Sequence, residues 1–183
     1  MLKGKHRRRL KRIMRRVSAK PVIGWREWVA MPKLGIRRIK AKIDTGARTG
    51  ALHAWEIRPV RRKGVRWVRF KVHPEQRNNR YSIECSARIK DVREVRASSG
   101  HAERRYVIET DIAVGGRRWP IELTLTNRDK MGFRLLLGRA SVRNDFLVNP
   151  GKSFLTGKPA HEKTGARRLR RRKMTKIRHR RES

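Results

Sequence analysis

Ile36-Arg37-Arg38-Ile39-Lys40-Ala41-Lys42-Ile43-Asp44-Thr45-Gly46-Ala47 is the stretch on which the fold turns. Apolar Ile39, Ala41 and Ile43 alternate with basic residues, the period-two pattern of a half-buried strand. The strand runs straight into Asp-Thr-Gly. Taken alone, that tripeptide is also ordinary turn chemistry, since Asp initiates turns and Gly accepts positive φ. What lifts it above a plain turn is its setting: apolar Ile43 before it, small Ala47 after it, and, about ninety residues on, the apolar run Leu135-Leu136-Leu137 ending in Gly138-Arg139.

Working outward, the chain between residues 21 and 157 reads as β. Leu52 to Val60 and Val65 to Val72 are strand candidates separated by the turn-like Arg61-Arg62-Lys63-Gly64. Tyr81 to Ala87 and Val92 to Ala97 are shorter candidates. Tyr106 to Val114 and Arg117 to Thr126 flank Gly115-Gly116, which supplies the positive φ that a two-residue primed turn needs. Helix is expected only in a short piece after Gly138 and in the tails. Many short strands with turn signals predict an all-β, closed or sandwiched domain.

Several blocks together narrow this. Ile23-Gly24-Trp25-Arg26-Glu27-Trp28-Val29, Ile43-Asp44-Thr45-Gly46-Ala47-Arg48-Thr49, Ala51-Leu52-His53-Ala54, Ser98-Ser99-Gly100-His101, Thr124-Leu125-Thr126-Asn127-Arg128-Asp129 and Met131-Gly132-Phe133-Arg134 into Leu137-Gly138-Arg139 follow one another in order. This succession resembles a bacterial family of retropepsin-like aspartic proteases known as ATP-dependent zinc proteases. The resemblance spans roughly residues 22–156 and neither tail. It implies a retropepsin-like acid protease barrel in which Leu137, Gly138 and Arg139 support the catalytic loop, and Gly138 permits a close approach.

The implied chemistry is that of paired carboxylates. Two aspartates held close share one proton, one acting as base and the other as acid. They activate a water against a carbonyl and then protonate the leaving amine. This chain holds one Asp-Thr-Gly, so Asp44 is half a site and a two-fold homodimer must supply the other half. Thr45 would lock the paired loops by hydrogen bonding. Gly46 would leave its backbone open to water or substrate, and Ala47 would line the same loop.

Viral relatives carry an acid soon after Asp-Thr-Gly-Ala, where this chain has Arg48. Arg48 either grips a substrate carboxylate with its planar fork or braces the loop. His53 and His101 are candidates for lining the cleft, against the reading of a structural or solvated histidine. The fold needs a hairpin flap, and the region from about Arg88 to Arg105 is the candidate, with Ser99 and Gly100 at its turn. Arg104-Arg105 just beyond would bring positive charge to the substrate. Members of this family resemble partners of ATP-grasp ligases that add glutamate to protein termini, so the resemblance also implies a glutamate-rich peptide or protein substrate, cut at a peptide or isopeptide bond.

Zinc and ATP do not follow from these residues, and no cofactor is expected. His101-Ala102-Glu103 has no second histidine four residues on, and the six histidines are scattered. The nearest approach to a phosphate loop, Gly151 to Lys158, has its Gly-Lys misplaced and is followed by Pro159.

Composition sets the remaining bounds. The 183 residues carry 52 Lys+Arg against 15 Asp+Glu, a net charge of +37. Residues 1–20 and 158–183 together hold +20 of it, leaving +17 for residues 21–157. The ends therefore read as basic tails, helical or disordered, that could contact the phosphates of RNA or the ribosome. An alternative to the enzyme is a non-catalytic basic β-barrel that binds RNA or the ribosome. Cys85 stands alone, which rules out a disulfide framework and favours a reducing cytoplasmic setting. No stretch approaches the ~18 apolar residues of a membrane-spanning helix, and no apolar run follows the charged start to make a secretory signal.

Overall fold

The structure, a computed structural model, describes residues 20–76, 78–96, 102–127 and 132–158. Ten strands run in chain order: β1 (Val22–Met31), β2 (Ile36–Asp44), β3 (Gly50–His53), β4 (Trp55–Arg62), β5 (Val65–Val72), β6 (Ile83–Arg96), β7 (Ala102–Val114), β8 (Arg117–Thr126), β9 (Leu135–Gly138) and β10 (Leu147–Ser153). A 3-10 turn at Pro32–Leu34 joins β1 to β2, and a short helix, α1, spans Arg139–Val142.

The sheet order is β10-β1-β2-β9-β3-β8-β7-β6-β5-β4, and β1 also meets β7 at Ala30 and Ala113. That last pairing closes β1-β2-β9-β3-β8-β7 into a six-stranded barrel. Closure removes sheet edges and lets the inward residues form one core. Ile23, Val29, Met31, Ile39, Ile43, Leu52, Ile108, Ile112, Leu123, Leu125, Leu135 and Leu137 fill it, all buried. Each such side chain contributes roughly 2 kcal/mol relative to exposure. The expected all-β barrel is what forms.

The hairpin through Gly115-Gly116 has the anticipated register, with Val114 opposite Arg117 and φ of 56° and 78° at the two glycines. Positive φ at both central residues matches the right-handed twist of the strands. Three element boundaries differ from the sequence reading. Leu52 to Val60 is two strands, because the chain turns at Ala54, whose N–H donates to the Thr126 carbonyl at 3.0 Å. The turn after β4 is tighter than expected, with Arg61 and Arg62 still in the strand and Lys63-Gly64 alone making the bend. Over Ile83–Arg96 the two candidates, Tyr81 to Ala87 and Val92 to Ala97, are one long strand, β6, whose register shifts between Ile89 and Asp91; Tyr81 precedes it and Ala97 lies outside the described residues. That bulge breaks the alternation and makes one strand look like two.

β6, β5 and β4 extend beyond the barrel from β7. Their attachment is partly ionic: Lys90 bridges Glu109 and Glu122, and Arg93 bridges Asp91 and Glu122. Lys90 first, then Arg93, holds the Glu122 carboxyl below the usual range.

β10 was not anticipated, nor was β1 read as a strand. β10 lies parallel to β1, pairing Val22 with Leu147 and Ile23 with Val148. A buried carboxylate ties the chain beyond it. Glu27, fully buried on β1, accepts from the Gly24 N–H at 2.7 Å, the Leu155 N–H at 2.8 Å, the Thr156 N–H at 3.3 Å and the Thr156 hydroxyl at 2.8 Å. Four donors meet the lone pairs of a charge that would otherwise be costly to bury.

Candidate active site

Asp44 is the last residue of β2, and its loop is built on a crossing of three strands. β9 inserts between β2 and β3, parallel to the first and antiparallel to the second, so that Ile43 pairs with Leu137 and Asp44 with Gly138. The loop from Asp44 to β3 therefore wraps over the end of β9. This close approach is why residue 138 must be glycine. A Cβ there would lie 2.5 Å from the Thr49 carbonyl carbon and 2.7 Å from the Arg48 carbonyl oxygen, both backbone atoms.

The loop is held from within and from below. One Asp44 carboxylate oxygen, Oδ1, accepts from the Gly46 N–H at 3.2 Å and the Ala47 N–H at 3.1 Å. From α1, the Arg139 N–H donates to the Ala47 carbonyl at 2.7 Å and the Ala140 N–H to the Arg48 carbonyl at 3.0 Å. The Arg139 guanidinium donates to the Thr45 carbonyl at 3.0 Å. α1 is itself anchored by β8, where the Trp119 indole N–H donates to the Ser141 carbonyl at 2.8 Å and its ring packs on Phe146. Backbone bonds thus fix the carboxylate's position, while Thr45, Gly46 and Arg48 remain exposed and Asp44 half-exposed. A preorganised acid on a rigid loop, open to whatever docks above it, suits acid–base work on a bound carbonyl.

The other residues singled out from sequence fall in different places. Arg48 is exposed beside the loop and pairs with no carboxylate among the described residues. Leu137 and Gly138 are buried under the loop, and Arg139 reaches across to it. His53 sits on β3 and is 1% exposed, with its backbone N–H donating to the Arg134 carbonyl at 2.8 Å. Ser99, Gly100 and His101 lie outside the described residues, as do the tails, residues 1–19 and 159–183. The strands that flank that turn, β6 and β7, pair as far as Arg96 with Ala102. Arg104 and Arg105 point to opposite faces, so they do not act together. Arg105 is buried and ion-paired to Glu103 at 2.8 Å. Arg104 is exposed and lines a groove of about 590 Å³ with Arg61, Arg66, Val60, Val92 and Tyr106.

The described residues do not fit zinc, since no three of His, Cys, Asp or Glu gather among them. Burial pushes the Cys85 thiol up to about 12, so it is neither a ready ligand nor a nucleophile. Among the described residues no helix is long and apolar enough to cross a membrane.

Glu27 is the functional-looking carboxylate that sequence reasoning passed over. Its signal was available, because it shares inward parity with Ile23, Val29 and Met31 on β1. A charged residue at such a position is either paired or functional. Here its four donors account for it.

Comparison with known proteins places this geometry. Over 136 residues the chain is 48% identical to a protein of Shewanella pealeana named probable alpha-L-glutamate ligase, covering 74% of this chain and 30% of that one. A protein of the same name from Desulfotalea psychrophila is 42% identical over 147 residues, 80% of this chain and 32% of that one. The chain thus spans about a third of the length of these relatives. Among solved structures, the Legionella pneumophila protein Lpg0085, of unknown function, matches with a TM-score of 0.64 at 26% identity, over 74% of this chain and 98% of that one. The family model of the retropepsin-like aspartic endopeptidase RimB matches residues 22–159. With that match over most of its length, and with the Asp44 loop seated on the Leu135–Gly138 strand, the chain belongs to the RimB-like family of retropepsin-like aspartic endopeptidases.

Proposed function

We propose that the chain is an aspartic peptidase in which Asp44 from each of two copies activates one water for attack on a peptide or isopeptide carbonyl. The observation that carries this is the Asp44 loop: a single carboxylate, held by two backbone N–H groups, on a loop pinned from below and exposed above. One such group is half of the acid–base pair that the chemistry needs. A second copy related by a two-fold axis supplies the other half without any further residue in this chain. In that dimer the exposed Thr45 side chains would hydrogen-bond the loops together, and Gly46 would admit the water.

The substrate follows from charge. Arg48 beside the loop and Arg104 in the basic groove offer guanidinium forks suited to carboxylates. The relatives' ligase name concerns glutamate, and the matched segment is less than a third of each of those proteins. A hydrolase domain acting on glutamate-rich peptides in the cytoplasm accommodates both facts. The basic tails on either side of the core, residues 1–20 and 158–183, would add contacts to RNA or the ribosome.

Asp44→Asn tests the assignment, since it is nearly isosteric and removes the acid–base function. Turnover of a glutamate-rich peptide should vanish while circular dichroism and the melting curve stay those of the wild type. A folded variant with undiminished turnover would overturn it.

A further inference from the structure

The outer face of β1 and β2 carries a strip of side chains that the proposed hydrolysis does not use. Inward residues Glu27, Val29, Ile39, Ala41 and Ile43 are buried, so Arg26 and Trp28 on β1 face outward with Arg38, Lys40 and Lys42 on β2. Register sets Arg26 opposite Lys42 and Trp28 opposite Lys40. Like charges directly opposite across strands destabilise a sheet. Among the described residues none of these four cations has a carboxylate partner. The Arg26–Lys42 pair is the one like-charge juxtaposition here; Arg26 donates to the Ser153 hydroxyl at 3.1 Å, which leaves its positive charge without an anion to balance it.

Aromatic rings interleave with the cations. The Lys40 ammonium lies 5.2 Å from the Trp28 ring centre and 5.9 Å from that of Phe154. The Arg38 guanidinium is 5.6 Å from Trp28, and Arg26 is 4.6 Å from Trp25 and 5.1 Å from Phe154. Trp28 and Phe154 lie 5.8 Å apart, tilted by 32°. Trp28 and Phe154 are half-buried, so their rings are partly open to solvent, and Arg38 and Lys42 are exposed.

We infer that this strip is a binding surface for single-stranded nucleic acid. Cations spaced along two strands match a phosphate backbone, and rings or guanidinium planes between them stack on bases. An acidic peptide would answer the charges but leave the rings without a stacking partner, so the observations favour the nucleic acid. The charge of the sequence next to both ends of the core, +20 in residues 1–20 and 158–183, has the sign such a partner requires. The core surface adds what those segments lack, since neither contains Phe, Trp or Tyr.

The full chain should be titrated with a short oligothymidylate and with an abasic strand of equal length and charge, following anisotropy and tryptophan emission. All five tryptophans, including Trp25 and Trp28, lie within residues 25–119, so quenching reports the core and not the tails. The abasic strand should bind about tenfold more weakly, and Trp28→Ala should erase most of that difference. Exposed Arg38→Gln with Lys42→Gln, which leaves the rings in place, should lower the salt slope by about two. It also decides the matter if Trp28→Ala does not fold. Equal binding of abasic and thymidylate strands, or an unchanged salt slope in the double variant, would overturn the inference. So would oligoglutamate that displaces the strand at equal charge concentration, which would make the strip a peptide surface.

Discussion

Replacing Gly138 by alanine adds one methyl group where the Asp44 loop crosses β9. Ideal geometry puts it 2.5 Å from the Thr49 carbonyl carbon and 2.7 Å from both the Arg48 and Thr49 carbonyl oxygens. All three contacts are backbone, so no rotamer change relieves them. Either β9 or the loop must move by most of an ångström. Overpacking a core by one methylene commonly costs 1–3 kcal/mol, and the rigid neighbours place this case at about 3 kcal/mol. The same movement strains the Arg139 and Ala140 N–H bonds to the loop, so Asp44 loses its position. Urea unfolding should show a lower midpoint with unchanged slope, and peptide turnover should fall by more than tenfold where the protein is still folded. Gly132→Ala is the control, because a Cβ at that position meets nothing within 4 Å. If Gly138→Ala stayed within about 0.5 kcal/mol of wild type, as an ordinary surface change does, the crossing would not be what fixes the loop.

Other expectations follow from single contacts. Glu27→Gln turns one acceptor into a donor facing N–H groups, so it should cost about 2 kcal/mol in urea unfolding, whereas a change near zero would remove Glu27 from its anchoring role. Arg48→Ala should lower the ratio of kcat/KM for a glutamate-rich over a glutamine-rich peptide, with little effect on the glutamine-rich one. The ratio in the wild type should shrink as salt rises, since surface attraction is screened over about 8 Å at physiological ionic strength. A wild-type ratio near one would remove the acidic-substrate reading and leave the peptidase assignment standing.

How much of this was legible in the sequence depended on where alternation survived. β2 alternates from Ile39 to Ile43 and the β7–β8 hairpin is marked by Gly115-Gly116, while Leu135-Leu136-Leu137 reads as a buried strand because it is apolar throughout, and it pairs on both edges, with β2 and β3. β10 escaped because Leu147–Ser153 is mostly exposed or half-exposed and contains Pro150-Gly151. Its strand character comes from pairing with β1, which no local pattern encodes. β6 was split by its own bulge. At the site, Asp44, Gly138 and Arg139 were singled out by the family resemblance of the blocks that hold them. The reach of Arg139 to the Thr45 carbonyl was not, since it joins residues 94 apart in the chain. The opposite facing of Arg104 and Arg105 follows from simple strand parity, which was not applied when the two were read together as positive charge beyond the flap turn. The outward strip on β1 and β2 was hidden because parity on β2 was read for its buried half alone.

The central claim is that two Asp44 carboxylates work together across a dimer axis. Mixing addresses it most directly. Wild-type protein at fixed concentration is equilibrated with rising amounts of Asp44→Asn, and turnover of a glutamate-rich peptide is followed. Exchange places wild-type chains in hybrid dimers holding one carboxylate and one amide, so activity should fall toward zero as the variant reaches excess. If wild-type activity held constant through a large excess of the variant, under conditions where exchange is demonstrated, each chain would be a complete catalyst by itself and the paired-carboxylate account would be wrong.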